Sequence, residues 1–260
     1  MLLKAILFDL GDTLFDFEPM DTRAIFEEAS RRTYEYLQSG GHRLPRFDRY
    51  FRLQYSAVRW AYFWSKITRR DFNGFDLLCR LCRRMGLSLD QPALRELAWR
   101  WYEPVTRYNT VAADVIPTLC KFRDRGLKLA IVSNTFVPGF ALDRHLELHG
   151  LLEFFPVRVY SSEVGYRKPH PRIFQIALQS IGVKPANAIF VGDLVKTDIL
   201  GARRAGMVAV LRQPFANSRT HRVADHVVRR ISEIHQMLPI LGAPEPPPLP
   251  NMDEQLAYDG

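Results

Sequence analysis

The sequence predicts an α/β fold: a parallel β-sheet with helices on both faces, interrupted after its first strand by an all-helical insertion. Three observations lead there. Residues 3–9, LKAILFD, form a continuous apolar run ending on a carboxylate, the pattern of a strand buried on both faces. From residue 109 onward, helical periodicity alternates with short β-branched runs, as parallel strand–helix units require. Residues 16–108 between them show helical periodicity and no convincing strand, and so long a stretch must be a module of its own.

The elements follow in order. Four helical segments fill the insertion, 20–40, 46–66, 75–86 and 90–103, and all four tryptophans lie in it. Helix 114–126 then leads to strand LKLAIVSN, helix 139–150 to VRVYSS, helix 171–182 to AIFVGD, and DILGARRAG to VAVLR. Gly126, Gly150, Gly182 and Gly206 stand where a left-handed residue closes each helix, and Pro171 sits at a helix start. The expected domains are a core of 1–15 and 109–238, a helical module of 16–108, and a proline-rich, mobile tail of 239–260.

A chain of 260 residues, 47% apolar and 25% charged, can bury a substantial core. The 36 Lys and Arg exceed 28 Asp and Glu, giving +8, which favours anionic ligands. The basic residues are scattered through amphipathic segments, which argues against nucleic acid. No apolar run approaches the ~20 residues of a membrane span. MLLKAILF is too short for a signal peptide, and three cysteines make no paired framework, so a cytoplasmic protein is expected. Cys79 and Cys82 have metal-like spacing but share one apolar helix face with no second ligand pair, so they read as core.

Chemistry gathers at the strand ends. Asp9 ends the first strand, Ser133 and Asn134 the second and Asp193 the fourth, while Lys168 follows the third in EVGYRKPHPRIF. The carboxyl ends of parallel strands share one edge, so these residues can converge. Singly, each reads as a turn former, helix cap or solvated charge; jointly they suit phosphoryl transfer. Asp9 is then the nucleophile forming an aspartyl-phosphate, Ser133 and Asn134 bind the phosphate, and Lys168 clamps its charge. Asp9 and Asp193 make a hard oxygen site for Mg²⁺, which Asp198 completes or orients.

These residues in this order resemble the haloacid dehalogenase superfamily of hydrolases. FDLGDTL is similar to its first motif, IVSN to its second, GYRKPHPRIF to its third and VGDLVKTDILGARRAGM to its fourth, and the likeness covers residues 1–238. The helical module is similar to the family's C1 cap. The resemblance implies a Rossmann-like core, Mg²⁺ and an aspartyl-enzyme intermediate, with the carbonyl of Gly11 as a further metal ligand. One departure matters. Phosphatases of the family place an Asp two residues after the nucleophile as acid and base, and here that place is Gly11. Three readings stay open: Asp12 takes the role, with Gly11 relaxing the backbone; the substrate has a good leaving group; or the chemistry has changed.

The aromatics of YSAVRWAYFWSK are expected to pack the module's own core, with some on the substrate side. Arg43, Arg46, Arg49 and Arg52 either attract an anion or form a solvated face. Phosphonate-cleaving members of the resembled family use a cap lysine to form a Schiff base; Lys66, the one lysine of the insertion, sits in FWSKITRRD and reads instead as a solvated helix end. The expected function is a Mg²⁺-dependent phosphatase of a small phosphorylated metabolite. The alternatives are a catalytically weakened ligand-binding or regulatory member and a 2-haloacid dehalogenase, the latter disfavoured by the Asp193 and Asp198 pair.

Overall fold

Strand β1 (Ala5–Phe8) is the axis of the molecule. The computed structural model describes residues 2–68, 70–213 and 223–244. After β1 the chain turns into β2 (Asp16–Phe17) and then into helices α1 (Thr22–Ser39), α2 (Phe47–Thr68), α3 (Gly74–Arg84) and α4 (Gln91–Tyr102). It returns through β3 (Asn109–Thr110), which pairs antiparallel with β2 in a two-residue ribbon. The core continues with α5 (Val115–Asp124), β4 (Lys128–Ser133), α6 (Gly139–Leu148), β5 (Val157–Tyr160), α7 (Ser161–Val164) and α8 (Pro171–Ile181). It ends with β6 (Ala188–Gly192), α9 (Leu200–Arg204), β7 (Val208–Arg212), β8 (His226–Val228) and α10 (Ile231–Met237).

The sheet runs β5-β4-β1-β6-β7-β8 and is parallel throughout. Alternation along β1 sorts its side chains: Ile6 and Phe8 pack into one apolar layer with α5, α6 and α10, while Ala5 and Leu7 pack into the other with α8 and α9. Both faces are covered, which explains the uninterrupted apolar run in the sequence. Because β4 and β6 flank β1 in register, Ser133, Asp9 and Asp193 leave the sheet side by side. Gly126, Gly150, Gly182 and Gly206 all take positive φ, between 65° and 85°.

The insertion has its own core, in which Leu37, Tyr50, Leu78, Cys82 and Leu97 are buried together. Burial holds the Cys82 thiol up at about 11, consistent with a packing role. Asp21, Asn73 and Asp90 cap α1, α3 and α4 through their side chains. The expectation that the α2 aromatics fill this core needs correction. Trp60, Tyr62, Phe63 and Trp64 are between 43% and 63% exposed; Trp60, Phe63 and Trp64 pack on one another, and the Lys66 ammonium lies 4.6 Å over the Tyr62 ring.

Residues 239–244 fall in the segment read from sequence as a mobile tail. Here they pack on the core: Leu241 is buried, and Leu3 N–H donates to the Gly242 carbonyl at 2.9 Å. The rest of that segment, 245–260, lies outside the described residues. No helix among the described residues is long and apolar enough to cross a membrane.

A buried histidine ties insertion to core. Asn109 Nδ2 donates to the Val105 carbonyl, so its Oδ1 is the acceptor for His145 Nε2–H at 2.9 Å, and His145 Nδ1 accepts from the Tyr102 hydroxyl at 2.8 Å. This needs neutral imidazole, and burial, with His149 nearby, holds its pKa down at about 4. With an unfolded value of 6.5, the unfolded chain binds the extra proton between pH 6.5 and 4. Stability from this group is therefore complete above pH 6.5 and is lost as pH falls to 4, by about 3 kcal/mol. Urea unfolding at a series of pH values is expected to show this slope, and His145→Gln is expected to flatten it.

Candidate active site

Asp9 is the first residue beyond β1, its amide still bonded to the Val191 carbonyl at 2.9 Å, so the strand ladder fixes its backbone. Its Oδ1 accepts from Leu10 N–H at 2.7 Å and pairs with Lys168 Nζ at 2.8 Å. Lys168 reaches Asp198 Oδ1 at the same 2.8 Å, and its side chain is only 1% exposed. One buried cation thus bridges two buried carboxylates. Burial raises the Asp9 pKa, Lys168 works against that, and Asp198 adds to it.

Asp198 sits in a wide helical turn, Val195–Ile199, and its Oδ2 accepts from Leu194 N–H at 2.9 Å, which folds the loop after β6 back onto itself. The turn closes over Gly192, where an added Cβ would lie 2.5 Å from the Asp198 Cβ. Gly192→Ala is expected to push Asp198 off Lys168, destabilising the fold by about 1–3 kcal/mol and lowering turnover. Thermal melts and steady-state rates on the variant check both.

Carboxylate oxygens of Asp9, Asp193 and Asp198 all lie within 4.8 Å of one another. Burial, then Asp9, Asp198 and Asp12, drive the Asp193 carboxyl up to about 7. Crowded hard oxygens with more negative charge than one lysine balances fit a divalent cation such as those that prefer carboxylate ligands. These groups open into a cleft of ≈ 400 Å³, roofed by Phe17, Phe26 and Trp101 and floored by Ser133, Lys168 and the three aspartates.

Other site candidates are placed differently from the sequence reading. The Asn134 side chain holds the backbone of Lys168: Oδ1 accepts from Lys168 N–H at 2.7 Å and Nδ2 donates to its carbonyl at 3.0 Å. It positions the lysine, and it also lines the cleft, with one amide N–H and one oxygen lone pair beyond those two bonds. The backbone freedom expected of Gly11 is found one residue later, where Asp12 has φ 49°. Asp12 is exposed at the cleft rim and its Oδ1 accepts from Phe17 N–H at 3.2 Å. A Cβ on Gly11 would lie 3.3 Å from the Phe17 ring, so an aromatic side chain occupies the space a larger residue there would need. Arg43, Arg46 and Arg52 line neither this cleft nor its rim, and Arg49 lines a separate groove beside Trp60 and Arg84.

Several supporting residues carried little sequence signal. Buried Arg212, at the end of β7, donates to the Asp12 carbonyl at 2.9 Å and pairs with Asp16, holding the turn after Asp9. The strand-end criterion applied to VAVLR points to it. Asp71, between α2 and α3, accepts from Ser161 Oγ and pairs with Arg167 at 3.3 Å, while Ser161 Oγ accepts from Thr135 N–H at 2.8 Å. An insertion carboxylate therefore braces the loop that follows Ser133 and the loop that carries Lys168. Nothing local in the sequence marks it.

Fold and site define a capped α/β protein with an acidic, cation-ready centre at the carboxyl edge of a parallel sheet. Residues 3–206 match the family model of the haloacid dehalogenase-like hydrolases. The chain is 34% identical over 213 residues to a glyceraldehyde 3-phosphate phosphatase of Methanopyrus kandleri, covering 80% of this chain and 83% of the relative. A solved HAD phosphatase from Thermococcus onnurineus superposes with a TM-score of 0.57 at 27% identity, over 91% of this chain and 98% of that one. A 2-haloacid dehalogenase from Pseudomonas syringae pv. Tomato DC3000 superposes with a TM-score of 0.62 at 22% identity, over 92% and 99% of the two chains, a likeness of fold alone. The chain belongs to the haloacid dehalogenase-like hydrolases.

Proposed function

We propose that this hydrolase is a Mg²⁺-dependent phosphatase of a small phosphorylated metabolite, acting through an aspartyl-phosphate on Asp9. The observation that carries the reading is the Asp9–Lys168–Asp198 bridge at the base of a cleft, with Asp193 beside it. Lys168 and Leu10 N–H hold Asp9 Oδ1, which leaves Oδ2 to attack phosphorus in line with the departing oxygen. Ser133 lines the cleft and donates to a phosphate oxygen. The bond from phosphorus to the ester oxygen breaks, that oxygen takes a proton, and water then attacks phosphorus to release phosphate and restore the carboxylate. Asp9, Asp193 and Asp198, with the Gly11 carbonyl, would hold Mg²⁺, whose charge lets an anionic nucleophile approach an anionic ester. A reducing cytoplasm suits the three free cysteines.

Asp12 is the carboxylate left to move protons; it stands one residue out of register, and its Oδ1 is tied to Phe17 N–H. Proton transfer is therefore weak, and rates fall steeply as the leaving-group pKa rises. A panel of aryl and alkyl phosphates checks this. Wild type is expected to favour aryl esters, EDTA to abolish turnover of both, and added Mg²⁺ to restore it. Asp12→Asn is expected to lose about 10²-fold on alkyl esters and little on aryl ones. Equal losses across the panel would remove Asp12 from the role. The Phe17 ring over Gly11 favours a second reading, a ligand-binding member of weakened activity. Absence of turnover even on aryl phosphates, with ligand still bound, would select it.

A further inference from the structure

A second cleft, of ≈ 630 Å³, shares two walls with the catalytic one, Lys168 and Thr197. Its charge is one-sided: Lys66 from the end of α2, Lys196 from the turn before α9 and Arg204 from the end of α9 line it, and no carboxylate among the described residues does. All three are exposed, and none has a carboxylate partner among the described residues. Arg167 forms part of the wall, its charge already met by Asp71 at 3.3 Å and its Nη1 donating to Ser65 Oγ at 3.4 Å. Scattered surface cations are ordinary in a chain of charge +8, but position sets these apart. They ring a concavity, which focuses their field, and it meets the catalytic cleft at Thr197, whose buried hydroxyl has no partner among the described residues.

We infer that the substrate carries a second anionic group, a carboxylate or a phosphate, held by Lys66, Lys196 and Arg204 while its scissile phosphate lies at Asp9. The inference rests on the phosphatase reading and narrows it to small bis-anionic esters. Lys66 comes from the insertion and the other two from the core, so an anion between them also draws the two together. A monoanionic ester gains nothing from this grip.

The test compares wild type with the triple variant Lys66→Ala, Lys196→Ala, Arg204→Ala, three exposed positions that leave the buried site untouched. Substrates are the bisphosphates of linear diols from propane to hexane, the matching monophosphates, and p-nitrophenyl phosphate. Wild type is expected to prefer at least one bisphosphate over its monophosphate by ~10-fold or more in kcat/KM, carried by KM. The variant is expected to lose that preference and to hydrolyse p-nitrophenyl phosphate within about twofold of wild type. A preference at no chain length, one that survives in the variant, or equal losses on every substrate would overturn the inference. So would sulfate that changes kcat for p-nitrophenyl phosphate in wild type and not in the variant, which would mark a separate effector anion. Failure of wild type on p-nitrophenyl phosphate itself would instead overturn the phosphatase reading beneath it.

Discussion

Asp9→Asn is expected to leave a folded protein whose turnover of aryl phosphates falls by on the order of 10⁴-fold or more. The amide oxygen can keep both contacts of Asp9 Oδ1, to Leu10 N–H and to Lys168 Nζ, so the geometry of the site survives. What disappears is the anionic oxygen that, on the proposed mechanism, attacks phosphorus. Stability is expected to hold, because Asp9 is a buried carboxylate whose ionisation is opposed by burial and by Asp198. Removing its charge relieves crowding, and Lys168 keeps Asp198 as a partner. Far-ultraviolet circular dichroism with a thermal melt reads the fold, and steady-state hydrolysis reads the chemistry. Turnover within tenfold of wild type would place the nucleophile elsewhere.

Lys168→Met is expected to cost both activity and stability. The ammonium is the shared counter-charge of Asp9 and Asp198, and a methionine of similar reach leaves two buried carboxylates facing each other. Breaking a buried pair from one side typically costs about 3–5 kcal/mol. The pH dependence gives the effect a signature. Without Lys168, Asp9 loses the charge that works against the rise in its pKa from burial and Asp198, so the native variant binds more protons than the unfolded chain. The deficit is then largest above the raised Asp9 value and shrinks as pH falls through it. Chemical denaturation of wild type and variant at matched pH measures it. A deficit that stays constant with pH would mean that packing, and not charge, is what the lysine supplies.

How far the sequence could be read depended on the range of the interaction. Five core strands announce themselves because each is a short apolar run, and four of the five end in or lead to polar chemistry. The β2–β3 ribbon and β8 do not, since two or three residues carry no period. Asp9, Lys168, Asp193 and Asp198 were legible because topology alone brings strand ends together. The hold of Asn134 on the Lys168 backbone was not, because it is a contact across 34 residues, with a loop whose path no local pattern fixes. The α2 stripe misled for a related reason: the spacing of Trp60, Phe63 and Trp64 is the spacing of a buried face, and only the packing of α1 and α3 shows that this side stays open. At Gly11, glycine suggested freedom of φ, whereas the positive φ falls on Asp12 and a Cβ at Gly11 would meet the Phe17 ring at 3.3 Å.

Gly11 and Phe17 also set up the decisive measurement. With no acid–base residue two places after Asp9, its proposed attack on an aryl phosphate is expected to outpace hydrolysis of the phosphoenzyme, so the intermediate is expected to accumulate. Enzyme mixed with a radiolabelled aryl phosphate and quenched in acid within the first turnover is expected to hold close to one phosphoryl group per chain. That group should be labile to hydroxylamine and should map to the peptide containing Asp9. Label on another residue, or unlabelled enzyme throughout a turnover that releases phosphate, would contradict nucleophilic attack by Asp9.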